Sequence, residues 1–402
     1  MYQYDVGVVG LWYGINYGSV LTYYALYCLL QELGYNPVML PKPNGMWDDG
    51  FNKPDTIAQS FICERCNVFP PCRIQEEYTR FNDLCKDFVI GSDVVWNYRI
   101  CGSGSGQFFF LDWVECGHRK VAFAASMGSD LFGPASHVIK NEYFLKKMDA
   151  ISCRENTGVE ILKSHTGRKD IVQVLDSVFL CNPKTYYDAS ADVELDEKSP
   201  VVFGYILHDY NISQKYDVVS QAAKRFNTVY RICANANVHD KIEAHVSDVM
   251  PVISVNEWLN YIKNCKFYIG DGYHGLCFSL IFHKPFIAFM PPDAEAPVRL
   301  KSLLKIVGLE DRLIDNFNDS SIFEELFDKP IDWGLVDERL KGLKEFSIDW
   351  LKKALTKRPR AATAKELIGD EKRRRLNEGF VRLYERELRI EKLEQETDKK
   401  RK

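Results

Sequence analysis

The stretch GDGYHGLCFSLIFHKPFIAF, over residues 270–289, holds the residue types best suited to chemistry. His274 lies between two glycines, where an apolar strand is predicted to end and a helix-length apolar run begins. Glycine lets a ligand approach the backbone closely, and imidazole suits proton transfer near neutral pH. We therefore predict His274 and Asp271 as catalytic residues and Tyr273 as a substrate contact, while His208, at another predicted strand end, is the alternative histidine.

Polar residues also follow the other predicted strands. Parallel strands end at a common edge of a sheet, and ligands bind at that edge. In ISCRENTG, the Arg154 guanidinium can hold a carboxylate or phosphate through two parallel hydrogen bonds, whereas an ion pair with Glu155 is its structural alternative. Asp176 is a further strand-end residue. The predicted site is completed by catalytic Asp93 and by the substrate-binding candidates Asn16, Tyr17, Gly18, Ser19, Ser92 and Trp96.

The loop GLWYGINYGS, over residues 10–19, departs from a dinucleotide-binding fingerprint because its glycines do not follow the G-x-G-x-x-G spacing. It still offers backbone N–H groups at the start of a predicted helix, which suit an anion. Ser19 fits equally well as an N-cap residue, and the two roles can coexist. A sugar could stack on Tyr17, Tyr273 or Trp96, and core packing is an equal alternative for Trp96.

The elements that must position these residues repeat the order strand, loop, helix, strand. DVGVVG, over residues 5–10, predicts a strand; apolar residues at helical spacing follow, and NPVML predicts the next strand. This order indicates a parallel α/β sheet, and it begins again after residue 200. We predict two Rossmann-like domains that face a central cleft, at residues 1–181 and 200–310, followed by a helical extension at residues 311–402.

Bulk composition narrows the classes of function. The chain has 402 residues, of which 46% are hydrophobic and 27% charged, as in ordinary globular proteins. The formal net charge of −4 supplies no basic field, so we expect no nucleic-acid partner. The N-terminal residues show no basic region followed by an apolar region, as a signal peptide would. The sequence also has no apolar run of the roughly 20 residues that a membrane-spanning helix needs. We therefore expect a cytoplasmic protein.

The sequence contains 12 cysteines, and most lie singly in apolar stretches. The segment CERCNVFPPC contains Cys63, Cys66 and Cys72, which could hold zinc, but no second CxxC follows. Incidental thiols in a loop are the alternative interpretation. The sequence has no H-x-x-H, H-E-x-x-H or paired-acid spacing that points to another metal site. We therefore predict a site without metal or cofactor.

The tail after residue 365 is mostly charged and carries a sparse apolar stripe, formed by Leu376, Phe380, Leu383, Leu388 and Leu393. A solvated helix, or one that binds a protein partner, is the first interpretation. A basic amphipathic helix on an anionic membrane is the alternative, which would place the protein at the inner face of a membrane. The many glutamates of the tail count against the membrane.

Six segments, taken together, resemble the polysaccharide pyruvyl transferase family. They are NYGSVLTYYALYCLLQELGY, FVIGSDVVWN, VAFAASMGS, ISCRENTGVEIL, VLDSVFL and IGDGYHGLCFSLIFHKPFIAF. They follow the family's order and cover about residues 5–310, so the tail lies outside the resemblance. The resemblance implies a GT-B-like fold, in which two Rossmann-like domains surround a cleft.

The resemblance also implies a reaction. The donor substrate phosphoenolpyruvate transfers its carboxyvinyl group to a sugar, two sugar hydroxyls end up bridged as a pyruvate ketal, and phosphate leaves. The implied acceptor is a sugar of a surface polysaccharide or of its lipid-linked precursor, and no metal is implied. The family's phosphoenolpyruvate-binding arginine and histidine match Arg154 and His274 in this chain.

The charges of the predicted site agree with that reaction. The donor is small and strongly anionic, and Arg154 together with the loop at residues 16–19 can neutralise it. The enol carbon of the donor must gain a proton, and a sugar hydroxyl must lose one. His274, with Asp271 or Asp93 nearby, can perform one or both transfers.

One residue departs from the family's pattern. Gly272 stands where an arginine or a serine is frequent, so either another cation, such as Lys284 or Arg299, replaces that contact or the donor differs. Two other classes of function therefore stay open. One is a GT-B glycosyltransferase that uses a nucleotide-sugar. The other is a catalytically inactive scaffold in polysaccharide assembly, which Gly272 and the charged tail favour.

Overall fold

The computed structural model describes residues 2–13, 16–42, 57–101, 107–191, 193–195, 200–235, 238–243, 249–291, 298–317 and 320–401. All predicted site residues fall within these ranges. Part of the predicted linker between residues 181 and 200 lies outside them.

The first sheet has six parallel strands in the order β2-β1-β3-β4-β5-β6. They are β1 (Tyr4–Val9), β2 (Pro37–Met39), β3 (Cys85–Ile90), β4 (Arg119–Ala125), β5 (Ala150–Cys153) and β6 (Val172–Gln173). The strands are apolar on both faces because helices cover both sides of the sheet; β1 ends in four buried residues. The helices are α1 (Tyr17–Glu32), α2 (Ile57–Arg65), α3 (Phe81–Leu84), α4 (Tyr98–Cys101), α5 (Ala135–Lys147) and α6 (Asn156–Thr166).

The second sheet has five parallel strands in the order β11-β10-β9-β7-β8. They are β7 (Val202–Ile206), β8 (Tyr230–Ala234), β9 (Phe267–Gly270), β10 (Phe286–Phe289) and β11 (Leu313–Ile314). The helices of this part are α7 (Lys184–Ala191), α8 (Ile212–Arg225), α9 (His239–Glu243), α10 (Val255–Asn264), α11 (Tyr273–Ile281) and α12 (Val298–Val307). Short 3₁₀ turns lie at Gln75–Arg80, Phe108–Phe110, Ser177–Phe179 and Glu310–Arg312.

The two sheets belong to domains that pack directly on each other. The Tyr17 hydroxyl, at the start of α1, donates to the Ile253 carbonyl across the interface at 2.8 Å. The Tyr17 ring stacks on Trp258 of α10, with ring centroids 5.6 Å apart. The first turn of α1, which the sequence predicts as part of the site, therefore also fixes how the second domain docks.

Three helices follow the second sheet: α13 (Ser320–Asp328), α14 (Trp333–Thr356) and α15 (Ala364–Arg401). Helix α14 bridges the domains, because its Ser347 Oγ accepts from Leu175 N of the first domain at 3.0 Å. Its Arg339 donates to the Val307 carbonyl of the second domain at 2.7 Å. Helix α15 returns to the first domain, where Arg374 forms ion pairs with Asp83 and Glu115.

The predicted α/β class and the two facing Rossmann-like domains are confirmed, as is the helical extension. The exact domain bounds stay a prediction; β11 lies beyond residue 310, in the sheet of the second domain. Every residue of α15 from 385 to 394 is exposed, and within this range Glu385 forms an ion pair with Arg73 at 3.2 Å. Within the described residues, no helix is both long and apolar enough to cross a membrane.

Candidate functional site

Arg154 is the charged centre of the site. It follows β5, and its side chain is 1% exposed. Its Nη1 donates to Asp176 Oδ2 at 2.5 Å, and its Nη2 donates to Asp93 Oδ1 at 3.0 Å. Burial would lower the pKa of Arg154, but these carboxylates raise it above its ordinary value, so the guanidinium stays charged. The contact with Glu155, its structural alternative in the sequence, is longer, at 3.9 Å.

Asp176 is held by donors from several elements of the first domain. Thr22 Oγ1, from α1, donates to Oδ1 at 2.6 Å, and Ser92 Oγ, after β3, donates to Oδ2 at 3.0 Å. Burial would raise the pKa of Asp176, but the hydrogen bond and charge of His274, with Arg154 and Thr22, hold it far below its ordinary range. The carboxylate is therefore ionised wherever the protein is folded near neutral pH.

Asp93 binds the other Nη of Arg154 and also accepts from Ser19. The Ser19 Oγ donates to Asp93 Oδ2 at 2.5 Å. Asp93 has a φ of 73°, a left-handed conformation in which aspartate is commoner than most residues. Burial would raise the pKa of Asp93, but the charges of Arg154 and His274 and the Ser19 hydroxyl keep it below its ordinary value. Asp93 is thus a second ionised carboxylate on one guanidinium.

His274 brings the second domain to this cluster. It lies in the first turn of α11, and its Nε2 is 3.4 Å from Arg154 Nη1 and 3.4 Å from Asp176 Oδ2. A guanidinium favours a neutral, accepting Nε2, whereas a carboxylate favours a protonated one. Nε2 thus has a hydrogen-bond donor and a hydrogen-bond acceptor at equal distances, and this arrangement suits an imidazole that gives and takes a proton.

Gly18 makes the approach of His274 possible. A Cβ on Gly18 would lie 2.3 Å from His274 Nδ1 and 2.4 Å from its Cβ. Any side chain at this position of α1 would therefore push the imidazole out of the cluster. The sequence predicts Gly18 as a substrate contact. In the structure, its lack of a side chain lets His274 of the second domain approach α1 closely.

A second guanidinium faces the same aromatic ring as Arg154. Arg154 Cζ is 4.5 Å from the Tyr273 ring centroid, and Arg299 Cζ, from α12, is 5.8 Å from it. Burial and the nearby Arg154 charge lower the pKa of Arg299. Among the described residues, nothing forms a hydrogen bond or a close ion pair with the Arg299 guanidinium, and its Nε is buried.

Two further buried polar atoms beside Arg299 also have no hydrogen-bond partner. They are Arg154 Nε and Glu155 Oε2. Burial raises the pKa of Glu155, although the Arg154 charge opposes this shift. Unpartnered buried donors cost free energy unless a ligand or water satisfies them. Arg154 Nε and Glu155 Oε2 lie 3.9 Å apart, which is within ion-pair range but too long for a hydrogen bond. Arg299 Nε has no such carboxylate among the described residues and is therefore the clearer place for an anion.

The remaining predicted substrate contacts have structural partners. Asn16 caps α1, since its Oδ1 accepts from Gly18 N at 2.9 Å and from Ser19 N at 3.4 Å. It thereby occupies N–H groups that an anion would need. Tyr17 and Trp96 are 2% and 1% exposed, and Trp96 donates to the Phe109 carbonyl at 2.9 Å. The structure puts neither ring where a sugar could stack on it.

Asp271 has partners other than the predicted one. It accepts from Lys215 Nζ at 2.6 Å and from Leu207 N at 2.6 Å, and its Oδ2 lies 3.4 Å from His208 Nδ1. The carboxylate that contacts His274 is Asp176, which belongs to the other domain. Residues three apart in sequence thus join different clusters, because Asp271 precedes α11 and points along the second sheet's edge.

The cysteine segment forms no ligand cluster in the described part of the chain. There, the single group of three closely spaced His, Cys, Asp or Glu ligand atoms is His239, Asp240 and Glu243, with both acids exposed. Cys72 instead accepts from Arg80 at 3.7 Å. Burial raises the pKa of the Cys66 thiol above its ordinary value.

Thr22 and the pairing role of Asp176 were not predicted as parts of the site. Asp176 had only the weak signal of a strand-end position. Arg299 lies beyond the last segment that resembles the family. The sequence indicated it only as one of two cations that could replace the side chain absent at Gly272. None of these signals specifies a partner, since the partners come from distant parts of the chain.

Comparisons with known proteins agree with the resemblance seen in the sequence. The profile of the polysaccharide pyruvyl transferase family matches residues 16–292, which is more than half of the chain and includes every predicted site residue. No curated protein matches the chain significantly.

Solved structures with a similar fold share little sequence with this chain. The UDP-GlcNAc 2-epimerase of Methanocaldococcus jannaschii, in complex with UDP-GlcNAc and UDP, has a TM-score of 0.53 at 11% identity, over 86% of this chain and 99% of that chain. A putative UDP-N-acetylglucosamine 2-epimerase of Listeria monocytogenes has a TM-score of 0.49 at 11% identity, over 90% and 100%. MurG of Acinetobacter baumannii has 0.44 at 10%, over 87% and 99%. The first of these supports the GT-B-like fold and nothing further.

Proposed function

The chain belongs to the polysaccharide pyruvyl transferase family, a family of transferases, and from this premise we propose the reaction that it catalyses. It moves the carboxyvinyl group of phosphoenolpyruvate onto a sugar of a surface polysaccharide or its lipid-linked precursor, and forms a pyruvate ketal. The observation that carries the proposal is the pair of guanidiniums near the Tyr273 ring. Within the described residues, one of them, Arg299, forms no hydrogen bond, and its Nε is buried.

The charge balance of the site favours a small anion. Asp176 and Asp93 together carry more negative charge than the single positive charge of Arg154. Arg154 alone therefore offers little attraction to phosphoenolpyruvate, which is a trianion. Arg299 adds a cation without a hydrogen-bonded carboxylate. Desolvated guanidiniums bind phosphate and carboxylate groups through paired, charge-assisted hydrogen bonds. A donor that carries both groups on three carbons can contact Arg299 and the Nε of Arg154 together.

Arg299 also accounts for the glycine at position 272, where the family frequently has an arginine or a serine. A Cβ on Gly272 would lie 3.1 Å from the Tyr205 ring, so a larger residue is crowded there. Lys284 lies after the far end of α11, and its charge acts on the Cys265 thiol, whose pKa it lowers against the effect of burial. Arg299, which shares Tyr273 with Arg154, is therefore the cation that replaces the family's side chain at position 272.

The reaction balances without a redox partner. A sugar hydroxyl oxygen bonds to C2 of the donor while C3 gains a proton and becomes a methyl group. The C2–O bond to phosphate then breaks, and a second hydroxyl oxygen bonds to C2. Two hydroxyl protons are released in total; one replaces the proton used at C3, and the other leaves on hydrogen phosphate. No metal or cofactor is needed for these steps.

His274 is the group that we assign to the proton at C3. Its Nε2 lies 3.4 Å from both Arg154 Nη1 and Asp176 Oδ2, so the ring is beside the groups that surround the proposed donor. Imidazole is the side chain best suited to proton transfer near neutral pH.

The first experiment is a calorimetric titration and a thermal shift with phosphoenolpyruvate, beside UDP-GlcNAc and other nucleotide-sugars. Wild type is compared with Arg299→Met and with the matched control Lys284→Met. A ligand that binds only the folded state raises the melting temperature. We expect phosphoenolpyruvate to do so, with a Kd about 10- to 100-fold weaker in Arg299→Met, since a hydrogen bond to a charged group contributes roughly 1.5–3 kcal/mol.

Each outcome of this titration is decisive for the donor. Equal weakening in Lys284→Met would reject Arg299 as the specific contact. A response to a nucleotide-sugar alone would reject pyruvyl transfer in favour of glycosyl transfer. Phosphate release with a sugar diol, measured together with the new ketal methyl signal by NMR, completes the test, because a scaffold releases none.

A further inference from the structure

A second histidine–carboxylate pair lies at the open edge of the second domain. His208 follows β7 and Asp271 follows β9, which are neighbouring strands with Tyr205 paired to Gly270 in register. His208 Nδ1 is buried and lies 3.4 Å from Asp271 Oδ2, a contact without hydrogen-bond geometry, yet the side chain is 35% exposed. The exposed part of the ring therefore lies away from the buried Nδ1.

Asp271 is built to hold that imidazole in place. Its carboxylate is fully buried and accepts from Lys215 Nζ at 2.6 Å, from Leu207 N at 2.6 Å and from His208 N at 3.3 Å. Burial would raise its pKa, but His208 and Lys215 hold it below its ordinary value. An ionised carboxylate on Nδ1 fixes a histidine's orientation and stabilises the imidazolium that forms when Nε2 takes a proton.

Neutralising Asp271 does not require His208. Lys215, with no exposed surface, already pairs with the carboxylate, and two backbone N–H groups complete its shell. A third neutralising group that is one-third exposed adds little to stability. The arrangement instead resembles a base with its supporting carboxylate, in which the imidazole is the member left open to a ligand.

The position of the pair relates it to the donor cluster. His274 lies three residues after Asp271, in the first turn of α11, so both histidines lie at the same end of adjacent elements of one sheet. His274 is surrounded by the charged groups Arg154 and Asp176. The groups that face His208 are Asp271, Lys215, Asp209 and Tyr210. The surroundings of His208 offer an incoming anion no unpaired guanidinium, and they suit a neutral sugar.

We propose that His208, oriented by Asp271, is the catalytic base that takes the proton from the acceptor hydroxyl. This inference rests on the proposed transfer of the carboxyvinyl group. As the hydroxyl oxygen bonds to C2 of the donor, its proton moves to His208 Nε2, while His274 gives a proton to C3. When the C2–O bond to phosphate breaks, His208 returns its proton to the phosphate, and the second hydroxyl restores the proton of His274.

The test compares His208→Gln with His283→Gln in the full-length chain. His283 is a matched control, since it also contacts an aspartate, Asp337, but lies beyond the other end of α11. We expect His208→Gln to lower kcat about 10²- to 10⁴-fold, the usual range for general base catalysis, with an unchanged Kd for phosphoenolpyruvate. The fall of kcat toward acid pH in wild type should be absent in His208→Gln. His283→Gln should match wild type in every measurement.

A second variant separates catalysis from structure. His208→Gly opens a space at the exposed ring, and added imidazole should restore part of the lost rate in this variant but not in His274→Gly. An unchanged kcat and pH profile in His208→Gln would overturn the inference. So would a loss of kcat matched by a lost melting-temperature response to phosphoenolpyruvate. A wild-type protein that binds no phosphoenolpyruvate and forms no ketal would instead reject the proposed function itself.

Discussion

Helix α11 has a histidine at each end, and each histidine contacts an aspartate in opposite surroundings. His274, in the first turn, is 3.4 Å from Asp176, with side chains 8% and 0% exposed. His283, just beyond the last turn, is 3.0 Å from Asp337, with side chains 44% and 57% exposed. The exposed pair has the shorter distance. Distance alone therefore says little about importance, because water screens the exposed pair and not the buried one.

The two pairs also differ in what surrounds them. His283 stacks on Trp333 with ring centroids 5.0 Å apart, and the pair links α14 to the second domain. His274, from the second domain, lies beside Arg154 and Asp176 of the first domain, which also pair with each other. One pair is a local surface contact, and the other belongs to a network. The predictions below measure that difference.

The largest expected change is the loss of stability in Asp176→Ala. This change leaves the buried Arg154 with Asp93 alone and takes the carboxylate from His274. Breaking a buried ion pair typically costs about 3–5 kcal/mol. Urea unfolding should show a loss of this order in Asp176→Ala. Asp337→Ala is the control, and similar losses in both variants would show that burial does not separate the pairs.

The next change concerns activity without a loss of fold. In the proposed transfer, His274→Gln should lower kcat about 10²- to 10⁴-fold because glutamine can accept a hydrogen bond but cannot deliver a proton to C3. The melting temperature should stay close to that of wild type. Steady-state phosphate release measures the rate. A His274→Gln protein with wild-type kcat would remove this histidine from the chemistry.

A third change tests the space that holds His274. Gly18→Ala places a Cβ within 2.3 Å of His274 Nδ1, so either the imidazole or α1 must shift. Overpacking of this kind costs about 1–3 kcal/mol. We expect a lower melting temperature and a loss of transfer activity. Gly342→Ala in α14 is the control, because a Cβ there meets nothing within 4 Å and should raise stability slightly.

The smallest change is a dependence of stability on acid. Asp176 and Asp93 have pKa values below the ordinary value in the folded state, so the stability they contribute is present above the unfolded pKa of about 3.9. It is lost as pH falls below that value, since protonation then favours the unfolded chain. The urea midpoint of wild type should fall between pH 5 and pH 3 more than that of Asp176→Asn. An equal fall of the urea midpoint in both proteins would contradict the buried, ionised state of Asp176.

The sequence indicated the fold well. Strands β1 and β9 and helices α1 and α11 have patterns that are local, because the length of a buried apolar run and the turn residues at its ends distinguish a strand from a helix. The strand-end rule predicts Asp93, Arg154 and His274 from the sequence, and the structure brings these three together. The rule works because parallel strands end at one edge.

The same rule could not distinguish residues that belong to the site from residues that pack in the core. Trp96 and Tyr17 satisfy it as well as Asp93 does, yet both rings are buried in the first domain and its interface. Asp271 also satisfies it, but its partner is Lys215 from α8. A residue's type and its place at a strand end do not state which way its side chain turns or which helix covers it. These depend on packing between segments far apart in sequence.

The sequence by itself determined the two-domain α/β fold, the family and the strand-end positions of the charged residues, because those follow from periodicity, spacing and segment order. Only the tertiary structure decided that His274 contacts Asp176 and that Asp271 contacts His208. It also decided that the Arg154 and Arg299 guanidiniums share the Tyr273 ring. The physical reason is that hydrogen bonds and ion pairs act over about 3–4 Å, and only the tertiary packing of strands, helices and domains sets distances of that size between residues that are far apart in the sequence.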